Sequence, residues 1–420
     1  MAEFKEAPAG APMAEKALTW IDNRFPLTKL WNDQWGKYYA PKNFNWWYIF
    51  GSLAMLVLVM QIVTGIYLTM SYKPSAEDAF ASVEYIMRDV DWGWLIRYMH
   101  STGASAFFIV VYLHMFRALM YGSYKSPREL LWVIGMLIYV ALMAQAFTGY
   151  LLPWGQMSYW GAQVIVSLFG AIPVVGAAIV EWIRGDYFIS DITLNRFFAL
   201  HVIAVPLALM ILAVVHILAL HTTGSLNPDG IEIKKMKGPD GIPLDGVAFH
   251  PFHTAKDLVA IIIFAIVFCA VIFFAPEMGG YFLEANNFIP ADPLKTPAHI
   301  APVWYFTPFY AILRAVPSKG WGAFLMAMAI VFLFLLPWLD RCKVKSIRYR
   351  GWTYKVALAV FVVSFLALGF LGLQPASTLY VYAARFFGIL YFAFFLLMPL
   401  YTAREKTKPV PERVVYHGHQ

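Results

Sequence analysis

Long apolar stretches separated by polar loops divide this chain of 420 residues into eight blocks. Each block is about 20 residues long, which is the length that a helix needs to cross roughly 30 Å of hydrocarbon. The predicted spans cover residues 46–70, 96–121, 132–153, 199–221, 257–275, 321–340, 352–372 and 380–402. The pattern therefore predicts an all-α polytopic membrane protein with eight transmembrane helices.

The loops between the predicted spans differ in their content of basic residues. Loops on the side of the two termini contain 20 Lys and Arg residues, against 6 in the loops on the opposite side. Because basic loops stay in the cytoplasm, we expect both termini to be cytoplasmic. The formal net charge of +7 then reflects orientation and attraction to lipid headgroups, and we expect no nucleic-acid partner.

The composition excludes several classes of protein. Hydrophobic residues make up 60% of the chain and charged residues 14%, whereas soluble domains have about 45–50% and about 25%. Two cysteines, Cys269 and Cys342, are too few for a disulfide framework, an iron–sulfur cluster or a cysteine-rich zinc site. The first 45 residues lack the apolar core of a signal peptide, so we expect Met1 to be retained.

Four of the histidines inside the predicted spans lie at related positions. His100 and His114 are 14 residues apart in the second span, and His201 and His216 are 15 apart in the fourth. At about 100° per residue, each pair lies on roughly one helix face, about 21 Å apart along the axis. The second and fourth spans run in the same direction, so His100 shares a depth with His201 and His114 with His216. A single such histidine could serve only as a polar helix contact, but four at matched depths favour two stacked metal centres.

Glycines in the first and third spans repeat the spacing of 14. Gly65 and Gly149 are predicted at the outer depth, and Gly51 and Gly135 at the inner depth. Missing Cβ atoms leave room for the rim of a flat macrocycle, although glycine pairs also serve plain helix packing. With the histidines, they predict that the first four helices form a bundle around two bis-histidine haems. Such irons have no open coordination position, which favours electron transfer.

Two arginines lie close to the histidines of the second span. Arg97 precedes His100 by three residues, and Arg117 follows His114 by three. Each guanidinium could pair with haem propionates near its membrane surface. The alternative for both is that they extend to the lipid headgroups.

The remaining sequence suggests further organisation. Residues 160–182 and 300–315 are aromatic and broken by Gly and Pro, so we expect short surface helices covering a site at the outer face. We predict the following divisions: a cytoplasmic segment at 1–45, the bundle at 46–221, a cytoplasmic loop at 222–255, a C-terminal helical unit at 256–402 and a cytoplasmic tail at 403–420.

Four motifs give the chain a specific resemblance. They are GYLLPWGQMSYWGA at 149–162, HILALHTTGS at 216–225, FHPFHTAKD at 249–257 and PVWYFTPFYAILRAVP at 302–317. From about residue 30 to 402 the chain resembles cytochrome b of the bacterial cytochrome bc complex, the quinol:cytochrome c reductase. The resemblance implies two non-covalent b-type haems, with His100 and His201 on the outer one and His114 and His216 on the inner one.

The resemblance also implies partners and a location. The partners would be a Rieske iron–sulfur protein, a membrane-anchored c-type cytochrome, ubiquinone or ubiquinol, lipid and a second copy of the complex. The location would be the bacterial inner membrane.

Two quinone sites follow from the same resemblance. The outer site would oxidise quinol, and its aromatic walls suit a hydrophobic ring, although such residues also anchor proteins at interfaces. The inner site would reduce quinone with protons from His221 and Asp257, beside Ser225 and Lys256. Outer-site residues would be Tyr150, Tyr305 and Tyr310 as catalytic groups, with Phe147, Gly161, Ile165, Pro302, Val303 and Trp304 as lining.

The chain departs at Val303 from the family's usual outer motif, which has a Glu between Pro and Trp. Valine can neither accept nor carry a proton, so the route must use water, Tyr150 or another group. The partner's metal-bound histidine would take the first proton. The spacing of 15 in the fourth span resembles the plastid-type protein, which is however split into shorter chains and lacks the last helix.

The predicted activity is quinol oxidation outside, transmembrane electron transfer through two haems and quinone reduction inside, with proton translocation. Two other classes stay open at this point. A di-haem anchor of a dehydrogenase predicts four or five spans and a single quinone site. A transporter using histidines as a proton relay predicts no Soret absorption.

Overall fold

The computed structural model describes residues 5–415. Met1 and the last five residues of the predicted tail lie outside this range. The described chain is mostly helical, as predicted. Its helices are α1 Met13–Asp22, α2 Leu27–Trp31, α3 Phe50–Thr69, α4 Ala79–Arg88, α5 Gly93–Tyr121, α6 Glu129–Leu151, α7 Gln156–Phe169, α8 Gly176–Arg184, α9 Asp191–Ala199, α10 Val205–Thr223, α11 Thr254–Phe274, α12 Thr307–Ala315, α13 Lys319–Leu339, α14 Trp352–Leu373, α15 Thr378–Leu396 and α16 Met398–Ala403.

Eight helices within residues 5–415 are long and apolar enough to cross a membrane, which confirms the predicted number. That number disagrees with the four or five spans of a dehydrogenase anchor. The fourth starts at Asp191 instead of residue 199, because helical hydrogen bonding continues into polar residues that hydropathy does not include. The spans are Trp46–Thr69, Gly93–Tyr121, Glu129–Leu151, Asp191–Thr223, Phe249–Phe274, Lys319–Leu339, Trp352–Leu373 and Thr378–Leu396.

A π-helical segment, Leu200–Ala204, joins α9 to α10 and contains His201. Such a segment adds one residue to a helical turn. It therefore accounts for the spacing of 15 between His201 and His216, because one added residue brings that interval back into phase with the 14 of α5.

The membrane helices pack in two groups. In the first, α3 packs against α5 and α6 against α10, while α11 packs against α3 and α5. In the second, α12 packs against α13, α14 and α15. Helix α11, which the sequence groups with the C-terminal unit, thus lies on the bundle. A continuous apolar core joins α5 and α6 to α12–α15.

A two-stranded antiparallel sheet was not predicted from the sequence. Strand β1, Tyr39–Pro41, pairs with β2, Gly246–Ala248, with Tyr39 opposite Ala248. Strands of three residues are too short to produce an alternating pattern. The sheet fastens the N-terminal segment to the loop that follows α10.

On the opposite side, short helices α7, α8 and α12 occupy the two loops where surface helices were expected. The loop before α12 is fastened to the start of α7 by backbone hydrogen bonds. Gln156 N donates to Ile289 O at 2.9 Å, and Ala291 N donates to Trp154 O at 3.0 Å.

Candidate functional site

His100 of α5 and His201 of the π segment face each other, with ring centres 6.1 Å apart and planes at 83°. A metal-bound imidazole nitrogen lies about 2 Å from the metal and the ring centre about 1 Å behind it, so two imidazoles on one iron have centres about 6 Å apart. The observed separation fits that arrangement.

The second nitrogen of each outer histidine is held by the protein. His201 Nδ1 lies 2.9 Å from the Gln145 carbonyl oxygen, which it can only approach as a donor. His100 Nδ1 lies 3.0 Å from Thr64 Oγ1, whose own proton is donated to the Met60 carbonyl. Nε2 of each ring therefore carries the free electron pair, as the metal-binding nitrogen of a histidine does.

His114 of α5 and His216 of α10 form the second pair, with ring centres 6.4 Å apart and planes at 63°. His114 Nδ1 and Arg117 Nε are buried without a hydrogen-bond partner among the described residues. Arg117 also donates to Ser123 Oγ at 3.2 Å, and its guanidinium lies 4.6 Å from the centre of the Tyr48 ring. A buried cation with a spare donor suits an anionic group such as a propionate.

Each predicted glycine lies against one of these four histidines. A Cβ on Gly65 would stand 3.1 Å from His100 Cε1, and one on Gly149 would stand 2.3 Å from His201 Cε1. At the inner depth the distances are 3.4 Å from Gly51 to His114 and 3.2 Å from Gly135 to His216. The glycines therefore leave space for the imidazoles themselves, where the sequence analysis expected them to leave space for the macrocycle rim.

A cavity of about 450 Å³ opens between the four helices at the outer depth. His100, His201, Gly65, Gly149 and Arg97 line it. No cluster of three or more His, Cys, Asp or Glu within residues 5–415 could hold a bare metal ion. Paired imidazoles beside a mainly apolar cavity therefore fit a haem better than an isolated ion.

The same cavity continues to three residues of the predicted outer quinone site, namely Tyr150, Val303 and Tyr305. The Tyr305 ring stacks on Phe108 with centres 3.9 Å apart and planes at 7°. Tyr112 Oη donates to the Tyr305 carbonyl at 2.7 Å. This wall is therefore rigid and positioned by α5.

Other predicted outer residues surround this wall. Gly161 faces the Tyr150 ring, Phe147 packs edge-on against Phe197, and Trp304 Nε1 donates to Ser105 Oγ at 3.0 Å. Ile165 and Pro302 are half-buried.

Tyr310 has a different partner. Its hydroxyl donates to the Ile300 carbonyl at 3.2 Å, and its ring lies under the Arg314 guanidinium at 4.8 Å. Both contacts lie within residues 300–314, and Tyr310 does not line the cavity, unlike Val303 and Tyr305 of the same segment.

The sequence analysis missed Glu284, in the loop between α11 and α12. Tyr150 Oη donates to Glu284 Oε2 at 2.7 Å. Burial raises the pKa of Glu284 above its ordinary value, although the Tyr150 hydrogen bond opposes the shift. The sequence feature that could have identified Glu284 is its position as the single carboxylate in the stretch FLEANNF.

At the other end of the bundle, two residues that were not predicted as site residues, Gln34 and Tyr38, contact His221, and Tyr38 connects it to Ser225. Gln34 Oε1 lies 2.7 Å from His221 Nδ1. The Tyr38 ring stacks on His221 with centres 4.1 Å apart, and its hydroxyl lies 3.1 Å from Ser225 Oγ. The available signal was the aromatic stretch WNDQWGKYY at 31–39.

Asp257 and Lys256 occupy a separate position. Asp257 Oδ2 accepts a hydrogen bond from Ser52 Oγ at 2.8 Å, next to Gly51. Lys256 is exposed, with its ammonium group 4.6 Å from the centre of the Phe252 ring. No hydrogen bond within the described part of the chain joins Asp257 to His221.

Comparisons with known proteins cover nearly the whole chain. Residues 35–224 match the family described as Cytochrome b/b6/petB, and residues 290–392 match Cytochrome b(C-terminal)/b6/petD. The chain is 63% identical over 413 residues to cytochrome b of Allochromatium vinosum, covering 96% of this chain and 99% of that protein. It is 50% identical over 397 residues to cytochrome b of Rhodospirillum rubrum, covering 94% and 95%.

A solved structure described as Hyperthermophilic respiratory Complex III is also similar. It has 40% sequence identity and a TM-score of 0.85, and the match covers 92% of this chain and 99% of that one. These comparisons confirm the resemblance predicted from the motifs.

Proposed function

The chain belongs to the cytochrome b family, and from this premise we propose that it is the core subunit of a quinol:cytochrome c oxidoreductase of the complex III type. The observation that carries the proposal is the presence of two histidine pairs whose ring centres lie 6.1 and 6.4 Å apart. Each pair has the separation that one bis-histidine iron requires.

We propose that two b-type haems bind at these pairs, the outer one to His100 and His201 and the inner one to His114 and His216. Bound there, the haems supply reversible one-electron transfer across the membrane. Arg97 and Arg117 would pair with their propionates, which otherwise leave negative charge near a low-dielectric interior.

Ubiquinol is proposed to bind beside the outer haem, at the end of the cavity that Tyr150, Val303 and Tyr305 line. Tyr305 and Phe108 form a flat aromatic wall, and Tyr150 also lines the cavity. The supporting residues are Phe147, Gly161, Ile165, Pro302, Val303 and Trp304, with Tyr310 at the margin. Excluding water here keeps the protons of quinol on groups of the protein until they are released outside.

The inner site is proposed to reduce quinone. His221, oriented by Gln34 and stacked on Tyr38, can donate a proton to one quinone oxygen, and Asp257 can supply the other. Ser225 holds the Tyr38 hydroxyl, and Lys256 adds positive charge near the cytoplasmic entrance.

The separate outer and inner quinone sites imply an electron path and the partners that it requires. One electron of each quinol leaves to a Rieske iron–sulfur partner and then to a membrane-anchored c-type cytochrome, while the other crosses the membrane. Two protons leave outside for each quinol oxidised, and protons are taken up on the cytoplasmic side. We propose a dimeric complex in a bacterial inner membrane, with both termini cytoplasmic.

The test is a redox titration of the purified complex, with a His114→Ala variant. Two b haems that reduce separately are expected, and His114→Ala should remove the inner one. A His250→Ala variant, which changes an exposed histidine, should leave the spectrum unchanged. Fewer than two b haems per chain, or an unchanged spectrum in His114→Ala, would refute the assignment.

A further inference from the structure

Quinol oxidation at the outer site releases two protons, yet Val303 occupies the position where the family's usual motif has a glutamate. Val303 is buried within the apolar core and exposes 4% of its surface. A carboxylate that accepts a quinol proton must therefore reach the cavity wall from elsewhere in the chain.

We propose that Glu284 accepts a proton from quinol through the Tyr150 hydroxyl, and so replaces the glutamate that this chain lacks at position 303. The inference rests on the proposed function, because it assigns a proton acceptor to the outer quinol site.

The geometry connects the cavity to Glu284 in one step. Tyr150 lines the cavity, and its hydroxyl donates to Glu284 Oε2 at 2.7 Å. Leu283 and Asn287, on either side of Glu284, also line the cavity. The carboxylate thus stands directly behind the tyrosine that would touch the substrate.

The loop that carries Glu284 is fixed to α7. Asn287 Oδ1 accepts a hydrogen bond from Ser158 N at 2.9 Å, while Ser158 Oγ donates to the Tyr150 carbonyl at 2.5 Å. A Cβ on Gly155 would lie 2.3 Å from Asn287 Oδ1, so only glycine allows this approach. The hydrogen bond between Tyr150 and Glu284 is therefore held from both sides.

The environment of Glu284 suits proton acceptance. Burial raises the pKa of its carboxyl group, which strengthens it as a base toward neutral pH. The titratable groups facing it are Tyr150 of α6 and Tyr305, which precedes α12. Ala285 and Asn286, the next residues, are exposed, so a proton on Glu284 is close to outer water.

A quinol O–H bond breaks as its proton moves to the Tyr150 oxygen, and the proton of Tyr150 moves to Glu284 Oε2, which becomes a neutral carboxylic acid. Tyr150 ends the step unchanged. The two electrons of quinol leave separately to one-electron acceptors, an iron–sulfur centre and a b-type haem, and the other proton goes to the partner's histidine.

The first test compares Glu284→Gln with Glu277→Gln in the purified complex. Glu277 is a matched control, because it lies in the same loop and also accepts a tyrosine hydrogen bond, from Tyr98 at 3.2 Å. Loss of the acceptor should lower quinol oxidation about 10²-fold, the usual contribution of a general base. Glu277→Gln should keep the wild-type rate, and adding Val303→Glu to Glu284→Gln should restore most of it.

A second measurement does not depend on turnover. Infrared spectra of the resting complex should contain the C=O band of a protonated carboxyl group that grows as pH falls. The band should be absent in Glu284→Gln, shifted in Tyr150→Phe and unchanged in Glu277→Gln. The quinol oxidation rate should fall with the same pH dependence in the wild type, because only the carboxylate form accepts a proton.

The role of Glu284 and the proposed function can be refuted separately. Intact haem spectra with a wild-type rate in Glu284→Gln, or a carboxyl band that persists in that variant, would overturn this inference alone. A wild-type preparation without two b haems would overturn the proposed function itself.

Discussion

The contact between each histidine and a glycine of a neighbouring helix decides how closely the bundle can close at two depths. The closest approach is at Gly149, where an added Cβ would stand 2.3 Å from His201 Cε1. An imidazole free of any ligand could rotate away at little cost. An imidazole whose Nε2 must stay directed at the facing histidine cannot rotate away. Gly149 is therefore more important for the histidine pair than for the packing of the helices.

We therefore expect Gly149→Ala to weaken or displace the outer haem. The methyl group must push His201 aside, and this should change the outer b-haem band and its midpoint potential while the inner haem is retained. Gly388→Ala is the control, since nothing lies within 4 Å of a Cβ at that position of α15. Unchanged optical titrations in Gly149→Ala would contradict the expected steric effect.

Residue positions could be predicted where helical geometry alone fixes them. The depths of the four histidines and four glycines depend only on the rise per residue and on alternating helix direction. Glu284 and Gln34 were missed because their partners are 134 and 187 residues away in sequence. Those contacts depend on how two loops fold, and apolar periodicity contains no information about that.

At the scale of elements, the basic loops do more than orient the chain. Arg350, before α14, is fully buried and donates to Asp340 Oδ2 at 2.6 Å and to Glu405 Oε2 at 2.8 Å. Lys125, before α6, reaches the same Asp340 carboxylate at 2.9 Å. These ion pairs connect the ends of α5, α13, α14 and α16, of which only α13 and α14 are consecutive in the chain.

Replacing Arg350 with Met should destabilise the protein by about 3–5 kcal/mol, because removing one partner leaves buried carboxylates without their cation. The measurement is unfolding in denaturant, followed by the haem absorbance. Lys29→Met is a suitable comparison, since Lys29 and Asp33 form an exposed pair on α2 and the adjoining turn, worth about 0.5 kcal/mol or less. Equal free energies of unfolding in the two variants would show that the buried cluster stabilises the protein no more than the exposed pair does.

A second cluster should make stability depend on pH. Burial alone would raise the pKa of Glu232, but Arg128 and Lys345 lower it to about 2. A depressed carboxyl pKa adds stability above the ordinary value of 4.5, and that stability is lost as pH falls toward 2. The Tm difference between wild type and Glu232→Gln should thus be constant above about pH 5 and shrink below it.

The control for this prediction is Glu15→Gln, because Glu15 is exposed on α1. Its Tm should follow the wild type at every pH. A difference for Glu232→Gln that does not change between pH 7 and pH 3 would mean that the carboxylate is not the source of the stabilisation.

At the scale of the whole molecule, the number of membrane helices was predictable because hydrocarbon thickness fixes their length and hydropathy reveals it. The packing of these helices into two groups was less predictable. Helix α11 packs on the first bundle although it follows a long loop. Helix packing in a membrane depends on side-chain shape, since lipid and protein interiors are equally apolar. The side on which the termini lie rests on the basic residues alone.

Orientation can therefore be tested with single cysteines after Cys269→Ala and Cys342→Ala. Leu294→Cys, in the loop between α11 and α12, is 97% exposed, and Met13→Cys, on α1, is 84% exposed. In spheroplasts, a maleimide that cannot cross the membrane should label Leu294→Cys at once and Met13→Cys only after permeabilisation. Both variants should keep the b-haem spectrum. Immediate labelling of Met13→Cys would reverse the topology and exchange the outer and inner sites, since one charge asymmetry assigns both.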